Sequence, residues 1–270
     1  MISGTSSELE ARAIAANHLA RARLTGALVE TWPESARPKD EAAAYATQEL
    51  VHNALTTSGS GKRIGYKIGC TTQVMQAMLG IPNPCVGGVL SSTVYHGRAD
   101  LRHADYRRPG VECEIAVSIS DDLNLTDPPF SVSSITNHVG AIMAAIEIVD
   151  DRYEDYRQIG TPTLIADDFF HAGCVLGHPC TDWRELNLRT IAGRTVINDV
   201  VLGQGVGADV MGHPFAAVAW LANNLAQRGK KLCGGEFVLT GSVVETRWVN
   251  SGDRVAIAID GLGEVYALFH

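Results

Sequence analysis

Val111-Glu112-Cys113-Glu114-Ile115-Ala116-Val117 and, further along the chain, Ala145-Ile146-Glu147-Ile148-Val149 place three carboxylates in segments that otherwise read as buried strands. Residues two apart in a strand share a face, so Glu112 and Glu114 project side by side while Val111, Cys113, Ile115 and Val117 point the other way. Two carboxylates that close raise each other's pKa unless positive charge lies between them. An all-oxygen set suits a hard divalent cation, Mg²⁺ or Mn²⁺. The competing reading of Glu112 and Glu114 alone is a solvated strand face, since charged residues are mostly surface residues. Glu147 weighs against it, because it interrupts a strongly apolar segment.

These strands need a scaffold. The chain has 270 residues, enough for one large domain or a main domain with an appendage. Hydrophobic residues make up 46%, which supports a substantial core. A formal net charge of −8 argues against nucleic acid or an anionic membrane as partner. No stretch reaches the roughly 20 apolar residues that span a bilayer, and the N-terminus lacks a basic region followed by an apolar run. None of the six cysteines forms a Cys-x-x-Cys pair, and several sit among apolar residues. That pattern indicates a reduced, cytoplasmic protein.

Residues 8–24 are Ala-rich with helical spacing, 31–38 form a Pro-containing connector, and 39–56 read as a second helix. This gives a helical N-terminal region over 1–62 and a catalytic domain over 63–270. Strands are expected at 64–69, 111–120, 145–149, 173–176, 236–239, 254–259 and 265–269. Between them lie a short helix at 72–79, a Pro/Gly loop at 81–88 and a helix at 214–227 with Pro at its first position. Strands dominate, so the fold class is α+β on a rolled or sandwiched sheet. Ser58-Gly59-Ser60-Gly61-Lys62 fails as a phosphate loop, because Arg63 follows the lysine. The glycines of Gly203-Gln204-Gly205-Val206-Gly207 lack dinucleotide spacing. His213 reads as a turn residue and Cys70 as a packing residue.

Gly65-Tyr66-Lys67-Ile68-Gly69, Glu112-x-Glu114 and Ala145-Ile146-Glu147-Ile148-Val149 occur in this order, followed by Ala166-Asp167-Asp168 and Gly212-His213-Pro214. With them the chain, from about residue 45 onward, resembles the 2-keto-4-pentenoate (vinylpyruvate) hydratase family of the fumarylacetoacetate hydrolase superfamily. The resemblance implies a mixed β-sandwich roll and a Mg²⁺ or Mn²⁺ site at Glu112, Glu114 and Glu147. It implies an active-site lysine at Lys67 and substrate-side positions at Arg152 and Asp167. It also implies homo-oligomers, some of which associate with a decarboxylase of the same fold. One departure stands out. The hydratases carry an acid–base Asp in a Pro-Asp-Phe-Gly loop, where this chain reads Pro84-Cys85-Val86-Gly87, so Cys85 holds the acid's place.

The expected reaction is hydration of a small 2-hydroxy-dienoate or 2-keto-enoate, such as 2-hydroxypenta-2,4-dienoate from aromatic ring cleavage. Decarboxylation of a 2-oxo-enedioate is the alternative, because loss of CO₂ dispenses with the loop acid. C–C hydrolysis of a maleylpyruvate-like substrate ranks third, since residues 71–79 contain no His or Glu. A non-catalytic partner subunit ranks below these.

Overall fold

The computed structural model describes residues 5–29, 32–127 and 129–270. Two helices come first. α1 (Ser6–Thr25) is opened by Thr5, whose hydroxyl accepts from the Glu8 amide while the Glu8 carboxylate accepts from the Thr5 amide. This reciprocal cap satisfies donors that a first helical turn leaves unpaired. α2 (Glu41–Leu55) is capped by the Asp40 carboxylate. The connector between them contains a short turn at Glu34–Ala36. Residue 31, where that connector was expected to begin, lies outside the described residues.

Strands then take over. The chain runs β1 (Arg63–Gly69), α3 (Gln73–Leu79), β2 (Cys85–Leu90), β3 (Val94–His96), β4 (Arg98–Leu101) and β5 (Pro109–Ile119). It continues through α4 (Val132–Ile135), β6 (Val139–Asp150), α5 (Thr161–Ala166), β7 (His171–Leu176), β8 (Ala192–Ile197) and β9 (Val200–Val206). It ends with α6 (Pro214–Gln227), β10 (Phe237–Trp248), β11 (Arg254–Ile259) and β12 (Gly263–Phe269). The strands form one mixed sheet in the order β2-β1-β10-β5-β6-β7-β3-β4-β12-β11-β8-β9. Parallel pairs β1–β10, β3–β7 and β4–β12 interrupt an otherwise antiparallel ladder.

The sheet rolls until its far end meets its own centre. A side chain added at Gly193 of β8 would come within 2.8 Å of Val243 and 3.0 Å of the Cys113 sulfur. One added at Gly205 of β9 would meet the Val243 carbonyl oxygen at 1.8 Å. Backbones approach this closely only through glycine. Inside the roll, Val111, Cys113, Ile115, Val117, Ile142, Ile146 and Ile148 are all but inaccessible. Burying one such aliphatic side chain contributes about 1.5–3 kcal/mol. α6 adds Phe215, Val218, Leu221 and Leu225 from one face. His213 caps α6, its Nδ1 accepting from the Phe215 amide at 3.0 Å, which is the turn role its position suggested.

The α+β class and the rolled sheet agree with the sequence reading. Local differences have physical reasons. The expected loop at 81–88 becomes strand β2 at Cys85, because Gly87 and Gly88 pair in the ladder with Lys67 and Tyr66. The glycine-rich stretch at 203–207 is largely strand β9, its glycines serving close packing. The segment at 145–149 is the end of a much longer strand, β6. Most of β5 is buried on both faces, with Glu112 and Ser118 partly exposed, so the face bearing the two acids is largely shielded from solvent. The N-terminal helices lie against the sheet's first strands: Gln48 of α2 donates to the Val86 and Ile165 carbonyls at 2.8 and 2.7 Å.

Candidate metal centre

β5 and β6 run antiparallel, with Glu112 directly opposite Glu147 and Glu114 opposite Ala145. That register, with a methyl group across from Glu114, brings the three carboxylates together. One oxygen from each lies within 4.8 Å of the others. Glu114 and Glu147 have no solvent exposure, whereas Glu112 keeps some. Each acid is held by a different element. The Thr246 hydroxyl of β10 donates to Glu112, and the Gly241 amide donates to Glu114 Oε2 at 2.8 Å. Glu147 Oε1 lies 3.2 Å from Lys67 Nζ and 2.8 Å from His171 Nδ1.

Two oxygens, Glu114 Oε1 and Glu147 Oε2, are buried with no hydrogen-bond partner among the described residues. Leaving a buried acceptor unsatisfied costs about 1–3 kcal/mol, more when it is charged. The electrostatics tell the same story. Burial, Glu147 and Glu112 push the Glu114 carboxyl well above its ordinary value. Burial and Glu147 also push Glu112 up. Burial would raise Glu147 too, but Lys67 and His171 outweigh it and hold this carboxyl at about 2. His171 is kept neutral by burial, so its Nδ1–H donates to Glu147 while Nε2 is left bare and unpartnered. Carboxylate oxygens in excess of local positive charge fit a hard divalent cation, with Glu112, Glu114 and Glu147 as its holders.

Lys67 lies on β1 with its side chain 4% exposed, so it is no surface lysine. Desolvation disfavours its charge, but Glu147, Glu112 and Glu114 more than compensate and raise its pKa. Room for it comes from Gly87 across the ladder, where a Cβ would lie 3.0 Å from Lys67 Cγ. Gly65, one of the two glycines flanking Lys67, instead admits the Phe237 carbonyl of β10. Phe169 covers the ammonium, its ring centre 5.9 Å away.

Cys85 is buried at the start of β2, beside Cys70 just beyond the end of β1. Cys70 and burial raise the Cys85 pKa, so Cys85 keeps its proton. Cys70 packs against the core, as its sequence setting suggested. Arg152 and Asp167 pair with each other rather than with the three glutamates. Arg152 Nη2 donates to Asp167 Oδ2 at 2.8 Å, and the Tyr153 hydroxyl donates to the same oxygen at 2.9 Å.

Two residues escaped the sequence reading. His171 opens an apolar strand, and nothing local marks it as the partner of a glutamate 24 positions earlier. Asp168 anchors a left-handed run, with φ of 54°, 50° and 68° at Asp168, Phe169 and Phe170. Such conformations cost about 1–3 kcal/mol each away from glycine. Asp168 holds the run by accepting from Arg23 of α1, from His52 of α2 at 2.8 Å and from the Gly88 amide at 2.8 Å. The run places Phe169 on Lys67 and delivers His171 to Glu147. The available signal was the doublet Asp167-Asp168 between apolar segments.

The fumarylacetoacetate (FAA) hydrolase C-terminal family matches residues 76–268. The chain is 32% identical over 254 residues to a 2-keto-4-pentenoate hydratase of Burkholderia vietnamiensis, spanning 94% of this chain and 95% of that protein. It is 28% identical over 226 residues to a 4-oxalocrotonate decarboxylase of Pseudomonas putida, spanning 84% of each. The solved structure of 4-oxalocrotonate decarboxylase from Pseudomonas putida G7, complexed with magnesium and adipate, matches with a TM-score of 0.91 at 26% identity over the whole of both chains.

Proposed function

The chain belongs to the fumarylacetoacetate hydrolase family, and from that premise we propose that it is a divalent-metal-dependent hydratase, a lyase acting on a 2-hydroxy-dienoate or 2-keto-enoate such as 2-hydroxypenta-2,4-dienoate. The observation that carries the reading is the pair of buried, unpartnered oxygens on Glu114 and Glu147, beside Glu112 and Lys67. Glu112, Glu114 and Glu147 would hold Mg²⁺ or Mn²⁺, which would supply Lewis acidity toward a small 2-oxo acid. The remaining roles belong to the chain. Lys67, kept protonated by its three acidic neighbours, presents positive charge where an enolate develops. His171 fixes the Glu147 carboxylate in orientation. Cys85 sits toward the substrate's distal end, where a neutral thiol is a weak hydrogen-bond partner. Arg152 and Asp167, held to each other and to Tyr153, are the substrate-side residues.

A specific observation favours a second reading, decarboxylation of a 2-oxo-enedioate. Cys85 stands where the hydratases carry an acid, and loss of CO₂ generates an enolate without a group to direct water. Among the described residues no helix is long and apolar enough to cross a membrane. We further propose a cytoplasmic homo-oligomer, associated with a related enzyme of its pathway. The six free cysteines suit a reducing compartment. Light scattering reporting a monomer at micromolar concentration overturns the oligomer.

The discriminating experiment is a substrate panel with and without Mg²⁺, following dienol loss, CO₂ release and new carboxylic acids separately. Mg²⁺-dependent dienol loss without CO₂ is the expected result. Release of CO₂ moves the assignment to the second reading. No turnover, together with a stable hetero-complex, overturns both in favour of a partner subunit.

A further inference from the structure

Cys70 directly follows β1 and Cys85 begins β2, which brings the two cysteines together at one end of the β1–β2 ladder. The ladder pairs Gly69 with Cys85, and Cys70 lies one residue beyond. Cys70 adopts φ 59°, a conformation unusual for a residue with a side chain. The two cysteines differ in the way a reactive thiol and its resolving partner differ. Cys70 is partly exposed, and its neighbours Cys85 and Lys67 both lower its pKa. Cys85 is buried and stays protonated. Low pKa, access to solvent and an adjacent second thiol are the features of reversibly oxidised cysteines. Of the other four cysteines, Cys113 and Cys174 are buried and Cys180 and Cys233 partly exposed.

We propose that Cys70 and Cys85 form a reversible thiol–disulfide site whose closure lowers the turnover of the adjacent metal centre. With hydrogen peroxide as oxidant the chemistry balances. The Cys70 thiolate attacks one peroxide oxygen, becoming a sulfenic acid as water leaves. The Cys85 thiol then attacks the sulfenic sulfur, forming the S–S bond and releasing a second water. Two thiols are oxidised by two electrons and one peroxide is reduced to two waters. A dithiol reductant reverses the change.

The bond ties together the two ends of the excursion that carries α3. Gln76 of α3 donates to the Cys70 carbonyl at 2.9 Å. Thr71 packs against Gly241, whose amide holds Glu114. Closure also removes the ionisable thiol on which Lys67 acts. Val74 and Met78 of α3 are well exposed, and none of the helix's residues is buried.

The test uses the full-length, Mg²⁺-loaded protein with stoichiometric hydrogen peroxide. Titratable thiols under denaturing conditions should fall from six to four. The intact mass should drop by two hydrogens, and peptide mapping should recover a Cys70–Cys85 cross-link that disappears on reduction. Cys70→Ser and Cys85→Ser should each lose the cross-link. Each variant's turnover, measured against its own reduced form, should no longer respond reversibly to peroxide. The effect on turnover rests on the lyase reading, whereas the cross-link does not. A cross-link in a protein that turns over nothing leaves the thiol site standing and removes the lyase reading. Sulfinic acid without a cross-link, a cross-link to another cysteine, or a Cys70–Cys85 bond that leaves turnover unchanged overturns the proposal.

Discussion

Two clusters of buried acids lie on neighbouring strands and turns, and they are built on opposite principles. Around Asp168 the accounts are closed: Arg23, His52 and the Gly88 amide all point at one carboxylate. Around Glu112, Glu114 and Glu147 they are open, with three acids facing one lysine and a neutral histidine, and with oxygens left over. Asp167 lies between the two cases, satisfied on one oxygen by Arg152 and Tyr153 and bare on the other. A saturated buried acid is a structural tie, because its partners already take up its charge. An unsaturated cluster is stable only when something positive completes it. Solvent exposure does not separate these clusters, since Asp168 and Glu114 are equally inaccessible. The count of partners does.

The largest effect that tests this contrast is at Glu114. Glu114→Gln removes a charge from the open cluster and should lower Mg²⁺ affinity by more than about 100-fold, beyond what outer partners of a metal supply. Calorimetric titration with undiminished affinity would return the cluster to the structural class. Lys67→Met separates the lysine from the ligands. Removing its ammonium takes away a competitor for the same carboxylates, so Mg²⁺ binding should be as tight or tighter while kcat falls steeply. Loss of metal binding together with turnover would make Lys67 part of the scaffold.

Asp168→Asn probes the closed cluster. Breaking one side of a buried ionic network costs about 3–5 kcal/mol, and the loss should appear in denaturant unfolding with or without Mg²⁺. The pH dependence has a definite sign. Burial would raise the Asp168 carboxyl, but His52 and Arg23 bring it well below the ordinary carboxylate range. A group depressed in the folded state stabilises above its unfolded pKa, about 3.9 for Asp. That contribution fades as pH falls toward the folded value. The difference between the native protein and Asp168→Asn should therefore be full at neutral pH and shrink below about pH 4. A constant difference through that range contradicts the charged network.

His171 lies on the border between the clusters. Its neutral ring orients Glu147 without taking up its charge, so His171→Leu should weaken Mg²⁺ binding by roughly 10–100-fold, the range typical of outer partners. Affinity unchanged by His171→Leu would show that Lys67 alone orients Glu147.

The open cluster was legible in sequence and the closed one was not. Glu147 announces itself by interrupting the apolar run of β6, and Glu112-x-Glu114 by strand periodicity. Asp168 shows only as half of the doublet Asp167-Asp168, because its partners Arg23, His52 and Gly88 come from two helices and a strand far away in the chain. The helical spacing of residues 8–24 shows where α1 forms, but not that its last turn reaches the site. Strands β8 and β9 were hidden because their glycines, needed where β9 lies on β10, mimic loop composition. β2 was hidden for a related reason, with Gly87 making room for Lys67.

Cys85 offers the finest adjustment of the contrast, by adding an acid beside the open cluster. Its surroundings are closed: the side chain is buried on β2, and Tyr45, against the Val86 amide, lies next to it. A carboxyl placed here by Cys85→Asp would be desolvated and would feel Glu41 nearby, both of which favour the protonated form. Lys67 acts in the opposite direction, as it does on the thiol now present. The balance gives an acid that holds its proton near neutrality, which is what proton delivery to a distal carbon requires. A well-placed general acid contributes about 10²–10⁴-fold. An installed one lacks the supporting hydrogen bonds of an evolved site, so a gain below that range is expected in hydration of 2-hydroxypenta-2,4-dienoate, with Mg²⁺ affinity unchanged. The gain should depend on pH and be lost once the new carboxyl ionises, whereas the native protein should lack that limb. If the native protein already hydrates this dienoate efficiently, and Cys85→Asp alters neither rate nor pH profile, position 85 is not where water is directed. The acid must then be sought elsewhere along the wall formed by β1, β2 and α3.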